Sequence, residues 1–364
     1  MIRVLVVHNA DFGDAAESSD SAASDSEPPP VDAGHAARAE VREVAIAIAD
    51  ALCAAGRLVR IVPVKRVAEV TEAVRQFNAH VVFNLCESLD GDPRYESSVA
   101  AILERMNVAF TGAPSPALRV CLDKHACSEA IRRRGVQVPW SVSADVIGDL
   151  PHDITFPVIV KPNREDGSTG IESASVAHDR AQVAQRLAQI EGSAIVQQYI
   201  QGREVNVALL GAPMKVLSIG EIDFSEMPDN LPQIVSYAAK WDESSLEWRG
   251  TRAVQADLTP ALTERIKRLA TDTARALDLR GYARLDIRID KNDQPWVIDV
   301  NPNCGLAPNA GFALAAARSG YDYGALVGTI VAEALGRKIH PNDFAAHQGR
   351  GRRPGINTSA MKDA

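Results

Sequence analysis

The stretch from Tyr282 to Leu306, YARLDIRIDKNDQPWVIDVNPNCGL, holds the residues best suited to chemistry. In Arg284-Leu285-Asp286-Ile287-Arg288-Ile289 apolar residues alternate with charged ones, which predicts a strand with Arg284, Asp286 and Arg288 on one face. In Trp296-Val297-Ile298-Asp299-Val300-Asn301 the same period of two puts Asp299 and Asn301 on one face. A two-residue turn at Asn292-Asp293 sets Asp286 opposite Asp299 and Arg284 opposite Asn301. Opposed side chains have Cβ atoms roughly 5 Å apart, where two bare carboxylates repel. A hard divalent cation removes the conflict, because Mg²⁺ takes a few carboxylate oxygens and fills its octahedron with water and phosphate oxygens. The competing explanation is an exposed hairpin whose acids face water, so the metal reading needs support elsewhere in the chain.

Three other places offer it. Lys161 closes the apolar run Phe156-Pro157-Val158-Ile159-Val160 and leads into Asn163-Arg164-Glu165-Asp166-Gly167-Ser168-Thr169-Gly170. A lysine at a strand end beside a Gly/Ser/Thr loop can set an ammonium and several backbone N–H groups around phosphate oxygens. The Walker pattern GxxxxGK[ST] is absent, and a surface loop with a solvated lysine has the same composition. Gln197, Gln198 and Tyr199, followed by Gly202 and Glu204, can form a hinge that reads an adenine edge and a carboxylate that accepts from ribose hydroxyls. Lys240-Trp241 sits in a long segment of little periodicity, which suits a lid or binding loop. Lys124, in Leu122-Asp123-Lys124-His125, gains meaning only from such partners. The histidines show no metal spacing, and GxSxG and HExxH are absent.

The elements that must carry these residues alternate. Met1–His8, Val59–Val64 and His80–Leu85 read as buried strands, with helices at 40–55 and 68–78 between them, the order of an open parallel sheet. Residues 14–33, rich in Ser, Ala, Asp, Glu and Pro, lack the apolar content to order themselves and read as a mobile insertion. A helix near 97–106 leads to the turn-rich Thr111–Pro116, and a single helix is predicted over 117–134. Strands at 194–200 and 205–210 flank the hinge, and Thr259-Pro260 opens a further helix. Helices near 310–319 and 323–335 follow the hairpin, then a Gly/Arg-rich tail. At 364 residues two or three domains are expected, and 46% hydrophobic residues can fill their cores. A net charge of -8 argues against a general binder of nucleic acid or membrane surfaces. No apolar run of 18 residues predicts a transmembrane helix, and no secretory signal is apparent. The five cysteines are scattered without zinc or disulfide spacing, which suits reduced thiols in a cytoplasmic protein.

Taken together, Asp123-Lys124, Val160-Lys161-Pro162 with its loop, Gln197 to Glu204, Lys240, Arg284-x-Asp286 and Asp299-x-Asn301-Pro302-Asn303 resemble an ATP-grasp ligase, and most of all the D-alanine–D-alanine ligase branch. Val82–Leu85, Glu96 and Phe110-Thr111-Gly112 resemble that branch's N-terminal domain. The resemblance implies a mixed α/β and α+β fold: an open-sheet domain over 1–114, a small ATP-grasp lobe over 115–196 and a large lobe over 197–340, with a flexible tail over 341–364. It implies that Lys124 and Lys161 hold the α- and β-phosphates while Gly167, Ser168 and Thr169 close over the triphosphate. Gln197, Gln198, Tyr199 and Ile200, with Ile298, would contact adenine, Glu204 the ribose and Lys240 the γ-phosphate. Asp286, Asp299 and Asn301 would hold two Mg²⁺ ions, with Mn²⁺ as an alternative, and Arg284 would stabilise the transition state. The implied reaction activates a carboxylate with ATP and joins it to an amine, both from small molecules of the amino-acid type. A homodimer is implied by resemblance alone.

The chain departs from the branch where amino acids would bind. Gly167 stands where the loop's first serine is expected, and Trp241 where a tyrosine follows the lid lysine. Neither supplies the hydroxyl that closes the site, so those two hydrogen bonds are expected to be lost. The N-terminal glutamate of that trio has Glu40 as its candidate. The serine that receives the second substrate falls near Asn309-Ala310-Gly311, and Asp299 replaces a more usual glutamate. Glu96, Asn309 and Ala310 are the substrate-side candidates. These changes favour a ligase for another carboxylate and amine. The competitors are a D-alanine–D-alanine ligase with an atypical pocket and a non-catalytic ATP-binding module. Cys304, beside the metal motif, reads as a small packed residue.

Overall fold

A computed structural model describes residues 1–10 and 33–336, without the side chains of 33–40. The acidic stretch at 14–33, but for its last residue, and the tail from 341 lie outside the described residues, as does the side chain of Glu40. Three sheets organise the chain. The first contains β1 (Arg3–Asn9), β2 (Leu58–Val64), β3 (Val81–Leu85) and β4 (Ala109–Phe110), all parallel in the order β2-β1-β3-β4. Helices α1 (Ala33–Ala54), α2 (Val67–Phe77) and α3 (Glu96–Arg105) make the crossovers. Val4 to Val7 are fully buried, as expected of a central parallel strand covered on both faces.

The predicted single helix over 117–134 is two. Helix α4 (Ser115–Leu122) stops at Asp123, whose backbone is extended, and α5 (Lys124–Arg132) starts at once. The Asp123 carboxylate caps α5 by accepting from the Ala126 N–H at 2.9 Å. Lys124 is therefore the first residue of a helix rather than part of a continuous rod, and its backbone N–H donates to the Asn163 carbonyl at 3.0 Å. Continuous apolar periodicity hid the break; the Asp-Lys step was its only mark.

The small lobe is an antiparallel sheet of β5 (Ser141–Ala144), β6 (Val158–Pro162), β7 (Val176–Ala177) and β8 (Ala194–Gln198), ordered β5-β8-β6-β7. Helix α6 (Arg180–Leu187), capped by Asp179, covers it through Val183 and Leu187. The large lobe holds β9 (Arg203–Leu210), β10 (Lys215–Asp223), β11 (Arg252–Gln255), β12 (Tyr282–Ile289) and β13 (Pro295–Pro302), antiparallel in the order β11-β10-β9-β12-β13. Strands β8 and β9, which look like one hairpin in sequence, belong to different sheets, so residues 199–202 cross from lobe to lobe. Short helices α7 (Tyr237–Trp241) and α8 (Leu246–Arg249) lie between β10 and β11. Helix α9 (Pro260–Ala276) starts at the expected Thr259 cap, and α10 (Gly311–Arg318) and α11 (Tyr323–Ala334) follow the hairpin.

One core joins Val4, Val6 and Phe83 of the first sheet to Tyr282, Phe312 and Ile330, so the N-terminal domain and the large lobe share packing. The small lobe keeps a core of its own around Val158, Val160 and Val196.

The hairpin pairs as expected, by an unexpected route. Arg284 lies opposite Asn301 and Asp286 opposite Asp299, yet nearer the turn Ile287 pairs with Val297. Ile298 is therefore a bulge. The turn is the three residues Lys291–Asp293, with Asp290 N–H donating to the Gln294 carbonyl and Asp293 at φ 57°. The bulge absorbs the odd residue and restores the register, and a bulge beside a site re-aims side chains.

Candidate active site

The two lobe sheets meet over a cleft of about 250 Å³. Lys124, Lys161, Gly167, Ser168, Gln197, Gln198, Tyr199, Ile200, Glu204, Lys240, Arg284, Asp286, Ile298, Asp299 and Asn301 all line it, gathered from both lobes and the hinge. Asp299 and Ile298 are neighbours in sequence and would face opposite sides of a regular strand; the bulge lets both face the cleft. The Ile298 carbonyl also accepts from Lys161 Nζ at 3.4 Å.

Four predicted residues stand outside this cleft. Thr169 is exposed, and its N–H closes a turn onto the Asp166 carbonyl at 3.1 Å. Asn309 is exposed, and Ala310 precedes α10, whose first residue Gly311 lines with Arg284 a separate cavity of about 20 Å³. Glu96 lies across a junction formed by Asn303. The Asn303 side chain donates to Glu96 Oε1 at 3.1 Å and accepts from the Ala113 N–H at 2.9 Å. A Cβ on Gly112 would come within 2.0 Å of Asn303 Oδ1, so only glycine allows this approach.

The charges are arranged in opposed pairs. Arg284 grips Asp286 with two parallel bonds of 2.8 and 3.0 Å, and Asn206 and Asn301 also donate to Asp286 at 2.8 and 3.2 Å. Beside Asp286 the Arg284 guanidinium is held even further above its usual pKa. Lys124 Nζ contacts both oxygens of Asp299 at 3.3 Å and Asp166 at 3.1 Å. Burial pulls the Lys124 ammonium down, but Asp299 and Asp166 outweigh it and hold its pKa high. Burial pushes Asp299 up, and Lys124 and Lys161 overcome that, so it stays ionised. Lys161, deep in the cleft, is lowered by burial. Glu96 is raised well above an ordinary carboxyl by burial, with Asp166 and Glu87 adding to the effect. Burial pushes the Cys304 thiol up to about 12, so it is a neutral packed group.

The segment between β10 and β11 closes the mouth. Ser168 Oγ donates to the Val235 carbonyl at 2.9 Å, and Tyr237 N–H to the Ile171 carbonyl at 2.7 Å. Trp241 Nε1 donates to the Gly167 carbonyl at 3.0 Å, with Lys240 Nζ 4.8 Å above its ring. The two positions expected to lose their closing bonds thus bond to each other: an indole N–H and a backbone carbonyl replace a pair of hydroxyls. Trp241→Phe keeps the ring and removes that bond, worth about 0.5–1.5 kcal/mol. Limited proteolysis between 226 and 249 is expected to run several-fold faster in this variant, and an unchanged rate would show that the bond does not hold the segment.

Sequence reasoning gave no role to Arg288, Asn206 or Asn303. Arg288 shares a face with Asp286, which alternation already showed, but its partner Glu204 is 84 residues away. Asn206 meets Asp286 only because β9 pairs with β12, which no local pattern announces. A larger cleft of about 510 Å³ between β4 and α11 is lined by Glu104, Arg280 and Glu333 and much backbone, without a convergent set of cations.

Two antiparallel lobes clasping such a cleft behind an open parallel sheet make the ATP-grasp fold. The chain aligns over 92% of its length with the crystal structure of a D-alanine–D-alanine ligase from Bacillus anthracis complexed with ATP, covering 97% of it at 18% identity with a TM-score of 0.69. It aligns likewise with the VanG D-Ala:D-Ser ligase of Enterococcus faecalis, at 14% identity, 92% and 100% coverage and a TM-score of 0.66. Residues 137–332 match the family described as D-ala D-ala ligase C-terminus. Among relatives, an uncharacterised Sinorhizobium fredii protein, y4sG, is 31% identical over 69% of this chain and 73% of its own. The D-alanine–D-alanine ligase of Bordetella avium is 25% identical over 66% and 74%. The chain belongs to the D-alanine–D-alanine ligase-like family, and is an ATP-binding, ADP-forming ATP-grasp ligase.

Among the described residues, no helix is long and apolar enough to cross a membrane. No three His, Cys, Asp or Glu side chains converge there as a metal cluster. Two carboxylates and an amide oxygen are the sparse, hard donor set that suits Mg²⁺, which keeps waters and takes substrate phosphates. The residues therefore fit the divalent metal that this family uses.

Proposed function

We propose that the protein is a cytoplasmic ligase that joins a small carboxylate to an amine, both of the amino-acid class, through an acyl-phosphate. The observation that carries this reading is the convergence of Lys124, Lys161, Lys240 and Arg284 with Asp286, Asp299 and Asn301 on one cleft beside the hinge. A carboxylate approaching a triphosphate is anion meeting anion, so catalysis rests on cations and positioning. In this reading a carboxylate oxygen attacks the γ-phosphorus, the bond to the β-phosphate oxygen breaks, and ADP leaves. The amine nitrogen then attacks the acyl carbon, the carbon–oxygen bond to phosphate breaks, and the nitrogen loses a proton as the amide forms.

Lys124 and Lys161 hold the α- and β-phosphates, and Lys240 approaches the γ-phosphate from the closing segment. Residues 197–200 and Ile298 take the adenine, and Glu204 the ribose. Gly167 and Ser168 cover the triphosphate, and Thr169, outside the cleft lining, closes the loop's turn through its N–H. Asp286, Asp299 and Asn301 would hold two Mg²⁺ ions, whose charge offsets that of the phosphates. Glu96, together with the region of Asn309 and Ala310, borders the acceptor side. Alanine and glycine at 310 and 311 offer no hydroxyl for a second substrate's carboxylate. This favours a pair other than two D-alanines.

The test is ADP release from ATP and Mg²⁺ with single and paired D- and L-amino acids, the product mass being determined. Turnover with a pair other than D-alanine is expected, and chelation by EDTA should abolish it. D-alanyl-D-alanine as sole product would overturn the altered-pocket argument, and ADP release that EDTA leaves intact would overturn the metal assignment.

A further inference from the structure

Arg288 lines the cleft and has no part in the steps above, yet it is only 3% exposed and saturated with partners. Its Nε and Nη2 donate to a single oxygen of Glu204, Oε2, at 3.1 and 2.9 Å. Nη1 donates to the Ile200 carbonyl at 3.1 Å and, at 3.4 Å, to the Gly202 carbonyl and the Tyr199 hydroxyl. Nη2 also donates to the Gln233 carbonyl. The guanidinium lies 5.1 Å from the Tyr199 ring centre and 5.9 Å from that of Phe224. One side chain thus joins the lobe-crossing hinge, the acid at the start of β9 and the segment that leads, three residues on, to the cap of α7.

Holding β9 to β12 does not need this. Replacing a buried ion pair by well-packed apolar residues of similar volume is often neutral or stabilising. The pair does something an apolar contact cannot: both of its donors go to Oε2, and among the described residues none donates a hydrogen bond to Glu204 Oε1. We propose that Arg288 is a positioning residue for the ribose, tying back one oxygen of Glu204 so that the other is the acceptor for ribose hydroxyls. Through Gln233 it links that recognition to the segment carrying Lys240. This rests on reading the cleft as the ATP site. It agrees with the electrostatics, because burial raises Glu204 and the Arg288 charge opposes that rise. Without Arg288 burial would push the acid further toward its protonated form, which presents a donor where an acceptor is required.

The test is calorimetric titration of ATP, 2′-deoxy-ATP and 3′-deoxy-ATP, each with Mg²⁺, into the wild type, R288M, R288K, E204Q and R288M/E204Q. A site built to bond a hydroxyl rejects the analogue lacking it. The wild type is therefore expected to bind ATP about tenfold tighter than at least one deoxy analogue, about the worth of a hydrogen bond to a charged group. R288M should weaken ATP by that factor, change the disfavoured analogue little, and so erase the preference. R288K should retain part of it. In the E204Q background R288M should leave the ratio unchanged, a non-additivity that a merely structural role would not produce. If R288M does not fold, R288K and E204Q carry the comparison. A wild-type preference that survives undiminished in R288M (in R288K, if R288M does not fold), or no preference in the wild type, would overturn the proposal while leaving the ATP site standing. No ATP binding by the wild type would overturn the reading of the cleft itself.

Discussion

Arg284→Ala is expected to bind ATP and Mg²⁺ within a few-fold of the wild type and to lower kcat by about 10²–10³, the range seen when one group that stabilises developing charge is removed. Arg284 is half-buried, pinned by its bidentate bond to Asp286, and lines both the nucleotide cleft and the small cavity at the start of α10. In the proposed function it would therefore stand where nucleotide and acceptor sides meet rather than along the nucleotide. Asp286 would keep Asn206 and Asn301 as donors after the substitution, so the acid is not left bare. Arg284→Lys should recover only part of the rate, since a point charge cannot reproduce the fork. Single-turnover ADP formation beside calorimetric ATP binding separates the two effects. Near-normal turnover in the alanine variant would end the role assigned to Arg284 and favour a nucleotide-binding module without catalysis.

Fold class and strand faces were legible in the sequence; the joints between elements were not. Residues 284, 286, 299 and 301 could be placed on one hairpin face because strand alternation is local and survives any tertiary setting. The pairing was legible although the turn was not: a three-residue turn and a bulge at Ile298 cancel, and nothing in Trp296-Val297-Ile298 marks where a strand will bulge. Helix periodicity likewise ran through Asp123, where a cap ends one helix and begins the next. The contacts that stayed hidden are those between distant strands. Asn206 meets Asp286, and Arg288 meets Glu204, only once β9 lies beside β12.

The closing segment shows the limit of reading by substitution. Glycine at 167 and tryptophan at 241 lack hydroxyls, and counting hydroxyls predicts that two closing hydrogen bonds are lost. Backbone carbonyls are acceptors at every residue, however, and an indole N–H needs only one within reach. The Gly167 carbonyl is that acceptor.

Asp299→Asn is expected to have the largest effect of any change in the cleft, a loss of more than about 10³ in kcat/KM with half-saturating Mg²⁺ raised about tenfold or more. Asp299 has two tasks that asparagine cannot share. It is the counter-charge of Lys124, whose ammonium is buried and touches both of its oxygens. It also faces Asp286 across the hairpin, and in the proposed function it would supply half of the carboxylate charge for a divalent ion. An amide retains the shape and a carbonyl oxygen, removes the negative charge, and turns a donor toward a cation. Lys124 would keep Asp166, an exposed and weaker partner, so the fold should survive while the phosphate end of the cleft loses its order. Asp299→Glu retains the charge and the ligand type and should recover much of the activity. The decisive measurement is the Mg²⁺ dependence of ADP release in the three proteins. A D299N enzyme with wild-type metal dependence would remove Asp299 from the metal site, leaving it as the counter-ion of Lys124 alone.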